Sequence, residues 1–470
     1  MSKVCTKTKK KKAGRPKRGK GRVVRDHLKK LNLNAAGIDL GSKEHYVAVP
    51  VDRDPEPVRS FGCFTTELHR MADWLESCGI ETVAMESTGV YWIPVYQVLE
   101  DRGFKVMLVD ARKIKHVPGR KSDVQDCQWI QELHTYGLLS GSFVPDKEIG
   151  TIRTLWRHRG NLVTSCATQI HLMQKALDIM NLHLHKVLSD ITGVTGMSII
   201  RAIVSGERNP VKLARLKNPK VKASEDEIVQ ALTGYYRREN LFSLQQALEG
   251  YDFLQKQITA CDRELESFLS TMESKASAED LLEGRKKRKK SHSKNEPAFN
   301  LHQELHRLCG VDLTRIDGLN VLTVQTIISE IGLDMSKFPT EKHLVSYLGL
   351  CPNNFKTGGK VKKTKSKKVK NRATWAFHMA AQSLHKSDSA LGAYYRRMKY
   401  RLDTPKANTA TANKLCRIFY RMLKFGEEFV DIGIEAYEKQ YQERKLAGLI
   451  KRAKSMGFNL LHQETGEVVS

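Results

Sequence analysis

No run in this 470-residue sequence approaches the roughly 18 apolar residues that a membrane span needs, and no apolar stretch follows the basic start as a secretion signal would. Cysteine is sparse and scattered: Cys5, Cys63, Cys78, Cys127, Cys166, Cys261, Cys309, Cys351 and Cys416 never fall as CxxC. A disulfide framework and a zinc knuckle are therefore not expected, and this usage suits a reducing cytoplasm. Acid is in deficit, 52 Asp and Glu against 79 Lys and Arg, for a net charge of +27. The first 30 residues hold 14 basic groups and one acid, Asp26, which leaves +14 on the other 440. A hydrophobic content of 40% is enough for sizeable cores and excludes a wholly disordered chain. The length implies two or three domains. So basic a chain is expected to take a polyanion as partner, with nucleic acid the first candidate and no membrane.

The basic N-terminal arm, residues 1–33, is expected to be solvated, with a charge run at Lys9 to Lys12. Gly14-Arg15-Pro16-Lys17-Arg18-Gly19 has the extended, basic character of a minor-groove peptide, or of a tail drawn to any phosphate backbone. Residues 34–146 alternate strand and helix signals. Ala35 to Leu40, Tyr46 to Pro50, Glu81 to Glu86 and Phe104 to Val109 read as strands, and Thr65 to Cys78 and Tyr91 to Arg102 as helices. Near-continuous apolar strands imply an α/β sheet covered on both faces.

Residues 147–271 read as long helices over 147–186 and 225–270, with a turn-rich insert at 187–224. Apolar steps of 3 and 4 run through Leu162, Cys166, Met173 and Met180, and through Leu244, Leu248, Tyr251, Ile258 and Leu265. That seam fits an antiparallel hairpin or a coiled coil between subunits. Residues 272–300, with the charge run Arg285 to Lys290, read as a basic linker. A compact, mainly helical domain follows over 301–440, and a tail over 441–470. At its start, Ile316-Asp317-Gly318-Leu319-Asn320 resembles the turn of a helix–hairpin–helix, whose amides can contact phosphate, or else an ordinary helical turn.

Two constellations could carry chemistry. Asp39 lies near the end of the first strand and Glu86 ends another, while Asp123 and Asp126, spaced i and i+3, share the first turn of a helix. Strand ends converge on one rim, and four carboxylates there are what a pair of Mg²⁺ ions needs. Gly37 to Ser42 also looks like a phosphate loop of the actin and sugar-kinase ATPase fold. That fold needs a second half, which nothing after residue 150 supplies. The second constellation is Lys356-Thr357-Gly358-Gly359-Lys360, continuing through Lys362, Lys363, Lys365, Lys367, Lys368, Lys370 and Arg372. Nine bases and no acid from Lys356 to Arg372 should grip a phosphate backbone. A hydroxyl beside two glycines in that field could be a nucleophile, or the incidental Thr of a basic loop.

Taken together these motifs resemble the DEDD transposases of bridge-RNA-guided bacterial insertion sequences, insertion sequence family 110. The resemblance rests on Gly37-Ile38-Asp39, Met85-Glu86-Ser87-Thr88-Gly89, Lys121-Ser122-Asp123 with Asp126, and Gly349-Leu350-Cys351-Pro352. It extends through Ala381 to Leu384, Leu391 to Arg397 and Thr409 to Ala412. It implies a RuvC-like (RNase H-like) N-terminal domain whose acids bind Mg²⁺, two ions per site. It further implies a coiled-coil middle that supports a dimer or tetramer, and a C-terminal transposase domain with a nucleophilic Ser. Target and donor DNA and an element-encoded guide RNA are the implied partners, and a bacterial cytoplasm, at the nucleoid, the implied location. The family's Ser position is Thr357 here, so Thr357 is expected to be the nucleophile, with Ser366 as a substitute or the copy impaired. A junction nuclease that uses water, and a nucleic-acid-binding relative without activity, are the rival expectations.

Overall fold

The computed structural model describes residues 29–87, 89–110, 123–276, 295–358, 360–367, 369–426, 429, 431, 433–461 and 468–469. Most of the basic arm (1–28), Thr88, Lys121, Ser122, Gly359, Lys368 and the charge run Arg285 to Lys290 lie outside them. The chain divides into two compact units, Met1–Val144 and Pro145–Ser470.

In the first unit a five-stranded sheet has the order β3-β2-β1-β4-β5. Its strands are β1 (Ala35–Leu40), β2 (Glu44–Ala48), β3 (Val58–Gly62), β4 (Thr82–Glu86) and β5 (Lys105–Val109). β1, β2 and β3 form an antiparallel meander, and β4 and β5 add to the other side of β1 in parallel. Helices α1 (Thr65–Ser77) and α2 (Trp92–Asp101) cover one face, burying Leu68, Met71, Leu75, Val95 and Leu99 against Ile38, Val47 and Met85. Helix α3 (Asp123–Thr135) covers the other, where Ile130 packs with Ala84 and Val109. Both faces of the central strands are therefore covered, which is why β1 reads as an almost unbroken apolar run. The edge strand β3, with Arg59 and Ser60 among its five residues, is not among the strands read from the sequence.

The second unit is mostly helical. Its longest helices, α4 (Lys147–Ile179) and α9 (Arg238–Thr271), lie antiparallel, since Arg159 meets Asp262, Cys166 meets Gln255 and Gln169 meets Gly250. The seam is an intrachain one. It also contains a buried ion pair: Arg159 Nε donates to Asp262 Oδ1 at 2.5 Å, and both residues are 4% exposed. The helix expected from residue 225 is broken. A short α8 (Glu225–Ala231) precedes α9, separated from it by Gly234, where a Cβ would stand 2.3 Å from the Met180 carbonyl oxygen. With α5 (Leu184–Val187), α6 (Val194–Val204) and α7 (Pro210–Ala214), α8 closes a small core around Ile199, Ile203, Leu213 and Ile228.

Past the linker come α10 (Leu301–Cys309), α11 (Val321–Ile331), α12 (Glu341–Tyr347), α13 (Arg372–Ser383), α14 (Ala390–Arg401), α15 (Thr404–Phe425) and α16 (Gly433–Ser455). The first half of α4 packs on α11: Arg153 donates to the Ser329 and Glu330 carbonyls, and Arg157 grips the buried Glu330 carboxylate at 2.7 and 2.9 Å. Gly318, the expected phosphate-contacting turn between α10 and α11, has φ +87° and would place a Cβ 2.6 Å from the Ala380 carbonyl oxygen. Its glycine thus serves close packing on α13. Among the described residues no helix is long and apolar enough to cross a membrane.

Candidate functional site

Strand periodicity brings the four acids to one face. Ile38 and Met85 are paired in register on parallel β1 and β4 and point into the core under α1 and α2. Their successors Asp39 and Glu86 point the opposite way, towards α3. Gly37 sets how closely that helix lies: a Cβ there would fall 2.2 Å from the Gln131 nitrogen and 2.5 Å from the Cys127 carbonyl. One step on along β1, Asp39 faces the opening turn of α3, which carries Asp123 and Asp126. The negative charges of Glu86, Asp123 and Asp126 all bear on Asp39. Burial first, and these charges after it, raise its pKa from 3.8 to about 6. Glu86 is 7% exposed. Like charges so placed in a partly dry site are stable only when protons or cations neutralise them.

Carboxylate oxygens suit a hard divalent ion that keeps some of its waters, and Asp39, Glu86, Asp123 and Asp126 are carboxylates whose charges meet on this face. Cys127 lies beside them, and burial pushes its thiol up to about 12. Tyr46, opposite Asp39 in the register, was not among the sequence candidates. It donates to Glu44 Oε2 at 3.3 Å, and the charges of Glu44 and Asp123 raise its pKa. Alternation along β2 was the signal that could have found it.

The second constellation lies in the other unit. β6 (Pro352–Thr357) and β7 (Lys360–Ser366) form a two-stranded hairpin in which Thr357 pairs with Lys360. Thr357 is exposed at the tip, and Gly358 has the positive φ of +56° that such a turn demands. Lys360, Lys362, Lys367, Lys370 and Arg372 are exposed. The side chains of Lys356, Lys363 and Lys365, like Gly359 and Lys368, lie outside the described residues. The hairpin base is anchored by hydrogen bonds to backbone carbonyls. Thr374 Oγ1 donates to Leu348 at 2.8 Å and Asn413 Nδ2 to Leu350 at 3.0 Å. At Gly349, φ +65°, a Cβ would meet Val369 at 2.7 Å. Beside the base opens a cavity of about 590 Å³ whose lining includes Ser366, Lys367, Lys370, Arg372, Trp375 and His378. Trp375 is 65% exposed, and its place in this basic cavity was not foreseen from the sequence.

Two family models match the chain in the order of these sites. A DEDD transposase model of the IS110 type covers residues 36–182, and one described as "Transposase IS116/IS110/IS902 family" covers residues 311–396. A similar protein is the "Insertion element IS110 uncharacterized 43.6 kDa protein" of Streptomyces coelicolor, 30% identical over 145 residues. That stretch is 30% of this chain and about a third (35%) of the relative. The first model carries the face with the four acids and the second the hairpin with its basic cavity, and by both the chain belongs to the IS110 family of transposases.

Proposed function

We propose that the protein is the transposase of an insertion element, exchanging DNA strands under the direction of an element-encoded guide RNA. The observation that supports this best is the convergence of Asp39, Glu86, Asp123 and Asp126 on one face of a sheet, with Asp39 raised to about 6. In this reading the unit is RuvC-like, with which its sheet is compatible, and the four carboxylates hold Mg²⁺, two ions per site. The bound metal would neutralise phosphate charge and stabilise a leaving oxygen. The hairpin grips the DNA backbone through Lys360, Lys362, Lys367, Lys370 and Arg372, joined by Lys356, Lys363, Lys365 and Lys368. Gly358 and Gly359 keep the approach to Thr357 open.

Thr357 Oγ would attack a backbone phosphorus, form a phosphothreonine ester and release one deoxyribose hydroxyl. Attack by the hydroxyl of the second DNA then restores a phosphodiester and frees Thr357. Each bond broken is replaced by one formed, so no ATP is needed. Base pairing to the guide RNA supplies sequence choice, which leaves the protein's own contacts to the backbone. A dimer or tetramer, in which the acids of one subunit serve the nucleophile of another, completes the proposal.

Strand-transfer assays with Asp39→Ala and Asp126→Ala test it. Both variants are expected to abolish transfer and leave guide-RNA affinity within about twofold, since neither acid is assigned to phosphate contact. A large loss of RNA affinity in either variant would count against the assignment.

A further inference from the structure

The link that leaves α4 alternates buried Met180, Leu182 and Leu184 with Asn181, His183 and His185 on the outer side. That alternation turns both imidazoles back towards Asp178, in the last turn of α4. The Nδ1 atoms of His183 and His185 stand 3.7 and 3.2 Å from the same oxygen, Asp178 Oδ1. One ligand atom from each of the three residues lies within 4.8 Å of the others. Tetrahedral zinc with bonds of about 2 Å places its ligand atoms about 3.3 Å apart, close to the 3.2 Å between Asp178 and His185 and a little short of the 3.7 Å to His183.

A second observation points the same way. His183 Nε2 lies 2.9 Å from Asn181 Oδ1, an acceptor, so in the neutral ring Nε2 holds the proton and Nδ1 presents a lone pair. That Nδ1 is buried, has no hydrogen-bond partner and faces a carboxylate oxygen. A lone pair opposed to a carboxylate is unfavourable unless a proton or a metal cation lies between them. A ring nitrogen fixed by an amide oxygen, with the other nitrogen turned inward, is how metal-bound histidines are usually oriented. The carbonyl end of the α4 dipole also favours positive charge here.

We propose that Asp178, His183 and His185 bind a borderline divalent transition ion of the zinc class. The site is separate from the four carboxylates and independent of the function proposed above. Two imidazoles and one carboxylate disfavour Mg²⁺, which prefers oxygen alone. A groove lined by His171, Gln174, Lys175 and Ile179 opens beside Asp178 and gives solvent access to its carboxylate. The ion would tie the end of α4 to α5 and so fix where the small helical core begins.

The test is zinc content of the full-length, tag-free protein after dialysis against zinc and then against excess Mg²⁺, which keeps the oxygen-only site occupied by magnesium. Wild-type protein is expected to retain one zinc per chain. His183→Ala/His185→Ala should lose it while its circular dichroism stays the same. Asn181→Ala, which keeps all three ligands, should bind roughly tenfold more weakly in a competition titration. Wild-type protein that retains no zinc, or a double variant that retains as much as wild type, would overturn the proposal.

Discussion

Asp39 makes the electrostatics of the acidic face measurable. Its carboxyl titrates near 3.8 when unfolded and at about 6 when folded. Between those values the folded chain holds a proton that the unfolded chain has lost, so stability falls as pH rises through the window. Above pH 6 the charged Asp39 opposes folding in full, unless a cation joins it. Millimolar Mg²⁺ is therefore expected to raise the melting temperature of wild-type protein at pH 7 and to do little at pH 4.5. In Asp39→Asn the decline between pH 4 and 6 should flatten. A magnesium shift of equal size at both pH values would show that the ion acts elsewhere. That Asp39, Glu86, Asp123 and Asp126 converge was legible in the sequence, because strand ends and an i, i+3 pair are local patterns. Tyr46 and Trp375 were not, because a neighbour across a strand register or around a cavity rim has no local signature.

Two close approaches at the level of elements make different predictions. Adding a methyl at Gly37 drives a Cβ into the backbone of α3, so Gly37→Ala should cost about 3 kcal/mol or more in urea unfolding. It should also reduce Mg²⁺ binding, because the same contact aligns Asp123 and Asp126 with Asp39. In the α4–α9 seam, Arg159→Ala strands the buried carboxylate of Asp262, at a cost of about 3–5 kcal/mol. Arg159→Met/Asp262→Leu, which removes both charges, should recover most of that loss. If the single and double variants are equally stable, the pair carries no such penalty. Trp375→Ala is expected to weaken single-stranded nucleic-acid binding by about 1–3 kcal/mol, as loss of a stacking platform would.

The long helices themselves were readable from their 3 and 4 steps, but the ion pair within the seam was not, since a polar position in an apolar stripe does not reveal its partner. The break before α9 had a local sign in Gly234. Its cause is tertiary, because the chain must pass under the Met180 carbonyl there. In the same way the sequence around Gly318 fits a phosphate-contacting turn or an ordinary helical one, and its close approach to the distant α13 has no local sign.

For the whole molecule, charge is the dominant quantity. Removing residues 1–30 takes 14 cationic groups from a +27 chain. The truncated protein should bind DNA and RNA more weakly and with a shallower dependence on salt. An unchanged slope would mean that the arm does not touch phosphate.

The account as a whole turns on whether a hydroxyl of this chain becomes linked to DNA. The direct measurement is a denaturing gel of purified protein with Mg²⁺, the flanking RNA of its element and DNA carrying the element junction, run beside Thr357→Ala and Thr357→Ser. The account predicts a protein–DNA adduct in wild type that persists in Thr357→Ser and vanishes in Thr357→Ala. An adduct that survives in Thr357→Ala would move the nucleophile to another residue, with Ser366 at the rim of the basic cavity the first to replace. Cleaved DNA with no adduct in any of the three proteins would contradict covalent strand exchange and leave a nuclease that uses water.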